Sequence, residues 1–215
     1  MALKKIDRKI SWDLYLSAFA ISLVVFAIGV WVGLQIEQSV ADQVSEVIDQ
    51  TNGRMLSMSN LLLMEEDPLF CTYLEEEMAA FDYETYLLGQ QIGTMEERRG
   101  VEDSLKIKYM DLEFRDYLLS KKINERCQLD QNIVLYFVSS LDCADCKKQG
   151  EALSEARSQT NTRVYTFDIG MESGLIDSLK QKYSVTSVPA MIINGDPYEG
   201  YRASSELVSI LNSAE

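Results

Sequence analysis

The sequence predicts an α/β domain at its C-terminal end, an all-α segment before it and one transmembrane helix near its N-terminus. Three observations carry that expectation. Residues 14–34 contain no charged side chain. From 35 to 126 apolar residues recur at three- and four-residue steps, the period of a helix with one buried face. From 127 onward, short runs rich in β-branched and aromatic residues alternate with amphipathic stretches.

The 21 residues of 14–34, at about 1.5 Å per residue, are long enough to span the ~30 Å hydrocarbon core of a bilayer. Trp12, Tyr15 and Trp31 sit near the ends of the run, where interfacial aromatics belong. A cleaved signal peptide is the other reading. The apolar run exceeds the usual ~7–15 residues, however, and Gln35-Ile36-Glu37-Gln38 offers no small-residue cleavage site. Lys4, Lys5, Arg8 and Lys9 precede the run, whereas Glu37, Asp42, Glu46 and Asp49 follow it. The positive-inside rule then makes 1–13 a cytoplasmic tail and 14–34 the anchor, with everything after it outside the cytoplasm. Four of the 20 basic and two of the 34 acidic residues precede position 35, so the remainder carries −16 and should not lie flat on anionic lipid.

The helical segment, 35–126, opens with Ile36, Val40, Val44, Val47 and Ile48, which continue the membrane helix outward. Thr51-Asn52-Gly53 predicts a break. Asp67-Pro68 reads as an N-cap with proline at the first helical position, opening a helix to about 80, with another over 83–92. Thr94-x-x-Glu97 has the form of a capping box for a long helix to about 123, interrupted at Gly100. Met55, Met58, Met78, Tyr83, Tyr86 and Tyr109 read first as core and second as a groove for unfolded clients. Two heptads over 36–48 are too few to specify a coiled-coil dimer.

The last segment, 127–215, reads strand 132–138, helix 143–158, strand 163–168, helix 172–183, strand 190–193, turn 194–197, strand 198–201 and a helix 204–211 capped by Ser204. Its centre is Asp142-Cys143-Ala144-Asp145-Cys146. Here a Cys-x-x-Cys follows a strand and a tight turn and opens a helix. A helix N-terminus stabilises a thiolate through free N–H groups and the macrodipole, and the second sulfur lies one turn on, within reach of the first.

Cys143 and Cys146 after a strand, with Ser187-Val188-Pro189-Ala190-Met191-Ile192-Ile193-Asn194-Gly195 downstream, resemble a thioredoxin-fold domain over the last 85 or so residues. The resemblance implies a mixed sheet with helices on both faces and a cis proline at Val188-Pro189 facing the two cysteines. It also implies that Cys143 attacks, Cys146 resolves, and Pro189, lacking an N–H, holds an extended client strand. Three departures leave the direction of electron flow open. The dipeptide is Ala144-Asp145, Asp142 replaces an aromatic residue, and neither Tyr136 nor Phe137 supplies the buried aspartate that thioredoxin keeps as proton acceptor. The whole-chain plan also looks like uncharacterised thioredoxin-like membrane proteins of archaea and small-genome bacteria.

All four cysteines follow the anchor, and an even count in an oxidising compartment suggests disulfides. With Cys143 and Cys146 paired, Cys71 and Cys127 are left for a structural bridge between the helical segment and the α/β domain. Two buried free thiols are the plainer alternative. A four-cysteine zinc site lacks the second Cys-x-x-Cys it would need, so no metal is expected, and no cofactor. A formal charge of −14 argues against nucleic acid, and the absence of histidine removes Ser/His and Cys/His catalysis. The helix start lowers the Cys143 pKa while Asp142 and Asp145 oppose it. At about 4 Å in water a carboxylate contributes ~1 kcal/mol, comparable to the helix effect, so the two do not separate.

Two functions follow. The first is a membrane-anchored thiol–disulfide oxidoreductase acting on thiol- or disulfide-bearing proteins outside the cytoplasm. Its recycling would fall to a membrane redox partner, by resemblance a quinone-coupled enzyme similar to vitamin K epoxide reductase. The second is a non-catalytic binding module in which the Cys143–Cys146 bond is structural.

Overall fold

The computed structural model describes residues 12–62, 68–99, 101, 103–141 and 143–213, without the side chains of 14, 35–40, 61, 68, 69 and 97–99. The basic residues of the expected tail, the cap at Asp67, the interruption at Gly100 and Asp142 lie outside the described residues. Among the described residues ten elements follow one another: α1 (Trp12–Leu61), α2 (Pro68–Arg99), α3 (Asp103–Cys127), β1 (Asn132–Val138), α4 (Ala144–Arg157), β2 (Thr162–Asp168), α5 (Gly174–Tyr183), β3 (Ala190–Ile193), β4 (Asp196–Glu199) and α6 (Ser204–Ser213). They form two compact units, one ending at Val44 and one beginning at Ser45.

In the first unit, Tyr15–Leu34 is long and apolar enough to cross a membrane, and none of that span is buried within the protein. Phe19, Phe26 and Trp31 are among its exposed apolar side chains.

The second unit contains the helical segment and the α/β layers together. The helices are longer than the sequence signals suggest. No break occurs at Thr51-Asn52-Gly53, where the Thr51 hydroxyl donates to the Val47 carbonyl at 2.6 Å and the ladder runs on to Leu61. Ile48, Thr51, Met55 and Met58 form one unbroken buried stripe at steps of three and four. The helices expected over 68–80 and 83–92 are one, because Leu74, Met78, Phe81, Thr85, Leu88 and Ile92 continue a single buried stripe through the gap. Thr94 caps nothing. It lies inside α2 with its hydroxyl on the Gln90 carbonyl at 2.8 Å, and the next helix starts only at Asp103.

Four strands form one sheet in the order β2-β1-β3-β4, with β1 parallel to β2 and antiparallel to β3. Alternation along β1 splits the core. Leu135 and Phe137 meet Tyr165, Phe167, Ile176 and Leu179 on one face, and Met110 and Tyr117 of α3 join them. Val134 and Tyr136 meet Ala152, Leu153 and Ala156 of α4 and Leu207 and Leu211 of α6 on the other. The strand and helix order is the one expected, with small shifts. The β3–β4 turn is the two residues Asn194-Gly195, both at positive φ, which brings Pro197 into the edge strand β4, where its missing N–H costs no ladder bond. Ser204 is the first residue of α6 rather than its cap, and the Ala203 carbonyl accepts from Glu206 and Leu207.

Candidate functional site

The site is built where β1 ends. Asp168, the last residue of β2, accepts from Ser140 N–H at 3.3 Å and Gly170 N–H at 2.9 Å, tying together the loops that follow both strands. From that turn Cys143 enters as the N-cap of α4. Its Sγ accepts the Cys146 N–H at 3.1 Å, one of the donors a helix start leaves free. The two sulfurs are bonded, with Cα atoms 5.2 Å apart. Cys143 is half-buried, and Cys146 is 7% exposed. Beneath them the Tyr136 hydroxyl donates to the Cys146 carbonyl at 2.5 Å, and burial pushes that phenol well above its ordinary pKa. Asp145 is turned to solvent and pairs with Lys148 at 3.0 Å, so its field at the sulfurs is both compensated and screened by water.

The Val188–Pro189 peptide is cis. Pro189 is buried and Val188 packs against the core, and the Pro189 carbonyl accepts from Gly200 N–H at 2.8 Å. Ala190 pairs with Phe137, so Val188-Pro189 enters β3 at the sheet end from which the Cys143 turn leaves β1. The structure thus brings Cys143 and Cys146 into a bond and sets Val188 and Pro189 at the same end of the sheet. Cys71 and Cys127 are also bonded, with Cα atoms 5.6 Å apart, joining the start of α2 to the end of α3. That bond closes the helical hairpin; Cys127 is its last helical residue.

The sequence did not point to a group of buried acids on α3. Glu113 accepts from the Tyr109 hydroxyl at 2.7 Å and from the Thr166 N–H of edge strand β2 at 3.1 Å. Burial pushes its carboxyl up to about 8, against those two hydrogen bonds. Asp116 accepts from Ser120 at 3.2 Å and stands 3.6 Å from the Arg163 guanidinium, yet burial still holds it up at about 7. Their i, i+3 spacing beside Leu112 and Leu119 was a faint sign that α3 buries polar groups on an otherwise apolar face. Glu113 and Asp116 line the same cavity as Cys143 and Cys146, a cleft of about 1020 Å³ between α2, α3 and α4. Val188 and Pro189 are not on its walls. Of the residues considered for a client groove, Met55, Met58 and Met78 are core, Tyr83 is exposed, and Tyr86 and Tyr109 line this cleft.

No protein-family model matches the chain, and no curated protein does. Among solved structures it is similar to chloroplastic thioredoxin z, whose structure is described as defining a novel type-specific target recognition. The two are 13% identical over 44% of this chain and 87% of that one, with a TM-score of 0.35. A likeness that distant gives no residue a role.

Proposed function

We propose that the chain carries a thioredoxin-like domain and acts as a membrane-anchored thiol–disulfide oxidoreductase on proteins outside the cytoplasm. One observation carries this reading: Cys143 caps α4 with its sulfur on a backbone N–H at 3.1 Å, is bonded to Cys146, and opens onto a cleft. An N–H aimed at the sulfur and the positive end of the helix both favour the thiolate. The chemistry balances as two exchanges. The Cys143 thiolate attacks a client disulfide, that S–S bond breaks, one client sulfur leaves as thiolate and a mixed disulfide forms. Cys146 then gives up its proton and attacks the Cys143 sulfur, releasing the second client thiolate. Two electrons pass to the client, whose thiolates take up the protons the two cysteines release. Oxidation of a client dithiol is the same sequence reversed. In this reading Val188 and Pro189, which lie outside the cleft at the same end of the sheet, contact the client where its chain leaves the cleft, and a membrane redox enzyme recycles the pair. The outside placement draws on the basic residues before the apolar span and the acidic ones after it.

A binding module with a structural Cys143–Cys146 bond is the competing reading, favoured by the burial of Cys146 at 7% exposure.

Trapping tests the proposal. Cys146→Ser should accumulate reducible mixed disulfides with extracytoplasmic proteins, and Cys143→Ser should form none. Equal trapping by both variants would contradict the assignment of roles, and cytoplasmic partners would contradict the placement.

A further inference from the structure

The cleft that carries the two sulfurs is only half made by the α/β layers. One wall is α4, with Cys143, Cys146 and Gly150, above a floor that includes Tyr136 and Thr166. The other wall is α2, which presents Gly89 and Gly93 one turn apart. We propose that this cleft receives an extended, neutral or basic, cysteine-bearing polypeptide segment of the client, and that the Gly89–Gly93 face of α2 is the wall it lies against. The proposal rests on the oxidoreductase reading above and adds the substrate class and the part played by the helical segment.

Size speaks first. At about 1020 Å³ the cleft lies at the upper end of what drug-sized ligands occupy, far larger than a small thiol needs. Shape agrees with this. A Cβ at Gly89 would come within 2.5 Å of the Tyr109 hydroxyl, so this glycine lets α2 approach α3. A Cβ at Gly93 would meet nothing within 4 Å, so that stretch of wall is bare backbone facing open space. Close packing against α3 explains the first glycine; the second leaves the wall open to an occupant.

Charge selects among occupants. Two bases on the walls are committed, Lys106 to Glu96 and Arg157 to Asp82. Asp116 is likewise paired, with Arg163 at 3.6 Å, and Glu113, Glu151 and Asp168 line the cleft together with Lys147. With the Asp116–Arg163 pair ionised, Glu151 and Asp168 outnumber Lys147 even while Glu113 holds its proton. In a cleft with low-dielectric walls such an excess repels anionic thiols and draws basic segments. The Arg157 guanidinium, 4.9 Å over the Tyr86 ring as well as paired with Asp82, joins the wall at α2 to α4 and keeps the cleft in one piece.

The test uses the full-length protein in detergent with Cys143–Cys146 oxidised. Two nine-residue peptides carry a central cysteine flanked by lysines or by glutamates, and cysteamine is the small thiol. Each rate is normalised to that thiol's rate with 2-hydroxyethyl disulfide. The lysine peptide should react roughly tenfold faster than the glutamate peptide at low salt, and the gap should close at high salt. Gly93→Trp, which fills open space, should slow the lysine peptide about tenfold while cysteamine stays within about twofold; Gly93→Ala should behave as the wild type. Unchanged peptide rates in Gly93→Trp, or peptide and cysteamine slowed alike, would overturn the placement of the client. Equal rates for the two peptides would overturn the charge selection. If none of the thiols, cysteamine included, opens the bond, the oxidoreductase reading itself fails and this proposal with it.

Discussion

Glu113 holds a proton that a glutamate in water would have lost, and the consequence is a stability that falls with pH. Folded Glu113 titrates at about 8 against an ordinary 4.5, and Asp116 at about 7 against 3.8. Between those limits the folded state binds more protons than the unfolded one, so stability declines as pH rises. The contribution is complete below about pH 4 and gone once pH passes 8. Each pH unit in the window is worth about 1.4 kcal/mol per group, so the two shifts together set an upper bound on the order of 10 kcal/mol. Thermal unfolding of the oxidised protein should therefore occur at least several degrees lower at pH 9 than at pH 5. Glu113→Gln, whose carbonyl oxygen can accept from Thr166 N–H while its amide donates to the Tyr109 hydroxyl oxygen, should flatten that profile. A profile equally steep in the variant would show that the pH dependence arises elsewhere. The cysteines and Pro189 were legible because their spacing is itself the chemistry. Glu113 and Asp116 were not. On a helix that also carries Asp111, Arg115 and Lys121, an acid looks solvated until the partner surface is known.

At the scale of elements, the hairpin of α2 and α3 is closed by Cys71–Cys127, residues 56 apart in sequence. A bond closing a loop of that length stabilises the fold by roughly 4 kcal/mol in the chain-entropy model. Replacing both cysteines with alanine should lower the unfolding free energy by about that amount while leaving the reactivity of Cys143–Cys146 intact. A loss of under about 1 kcal/mol would mean that the hairpin is held by packing alone. Helix breaks were the least legible feature of the sequence. Thr51, Thr85 and Thr94 each return their hydroxyl to the carbonyl four residues earlier, so residues that favour caps are absorbed inside helices whose buried stripes run on. The strands were easier to read, since 133–138 is apolar throughout and β1 lies between two neighbours.

Across the whole molecule, the unit from Ser45 onward shows why the order of elements could be read but not their assembly. The α/β run reads strand by strand, yet its core includes Met110 and Tyr117 from the helical segment, and Glu113 covers an N–H of edge strand β2. Nothing local in 103–127 announces a sheet edge as its partner. In this assembly residues of α2 line the same cleft as Cys143 and Cys146. The proposed oxidoreductase activity requires that the Cys143–Cys146 bond exchange electrons under physiological conditions. Equilibrating the protein in glutathione buffers and quantifying the two sulfurs by alkylation gives its midpoint potential. A value between about −270 and −120 mV is the prediction, the range of working dithiols. A value below about −300 mV would make the bond structural and rule out the proposed oxidoreductase.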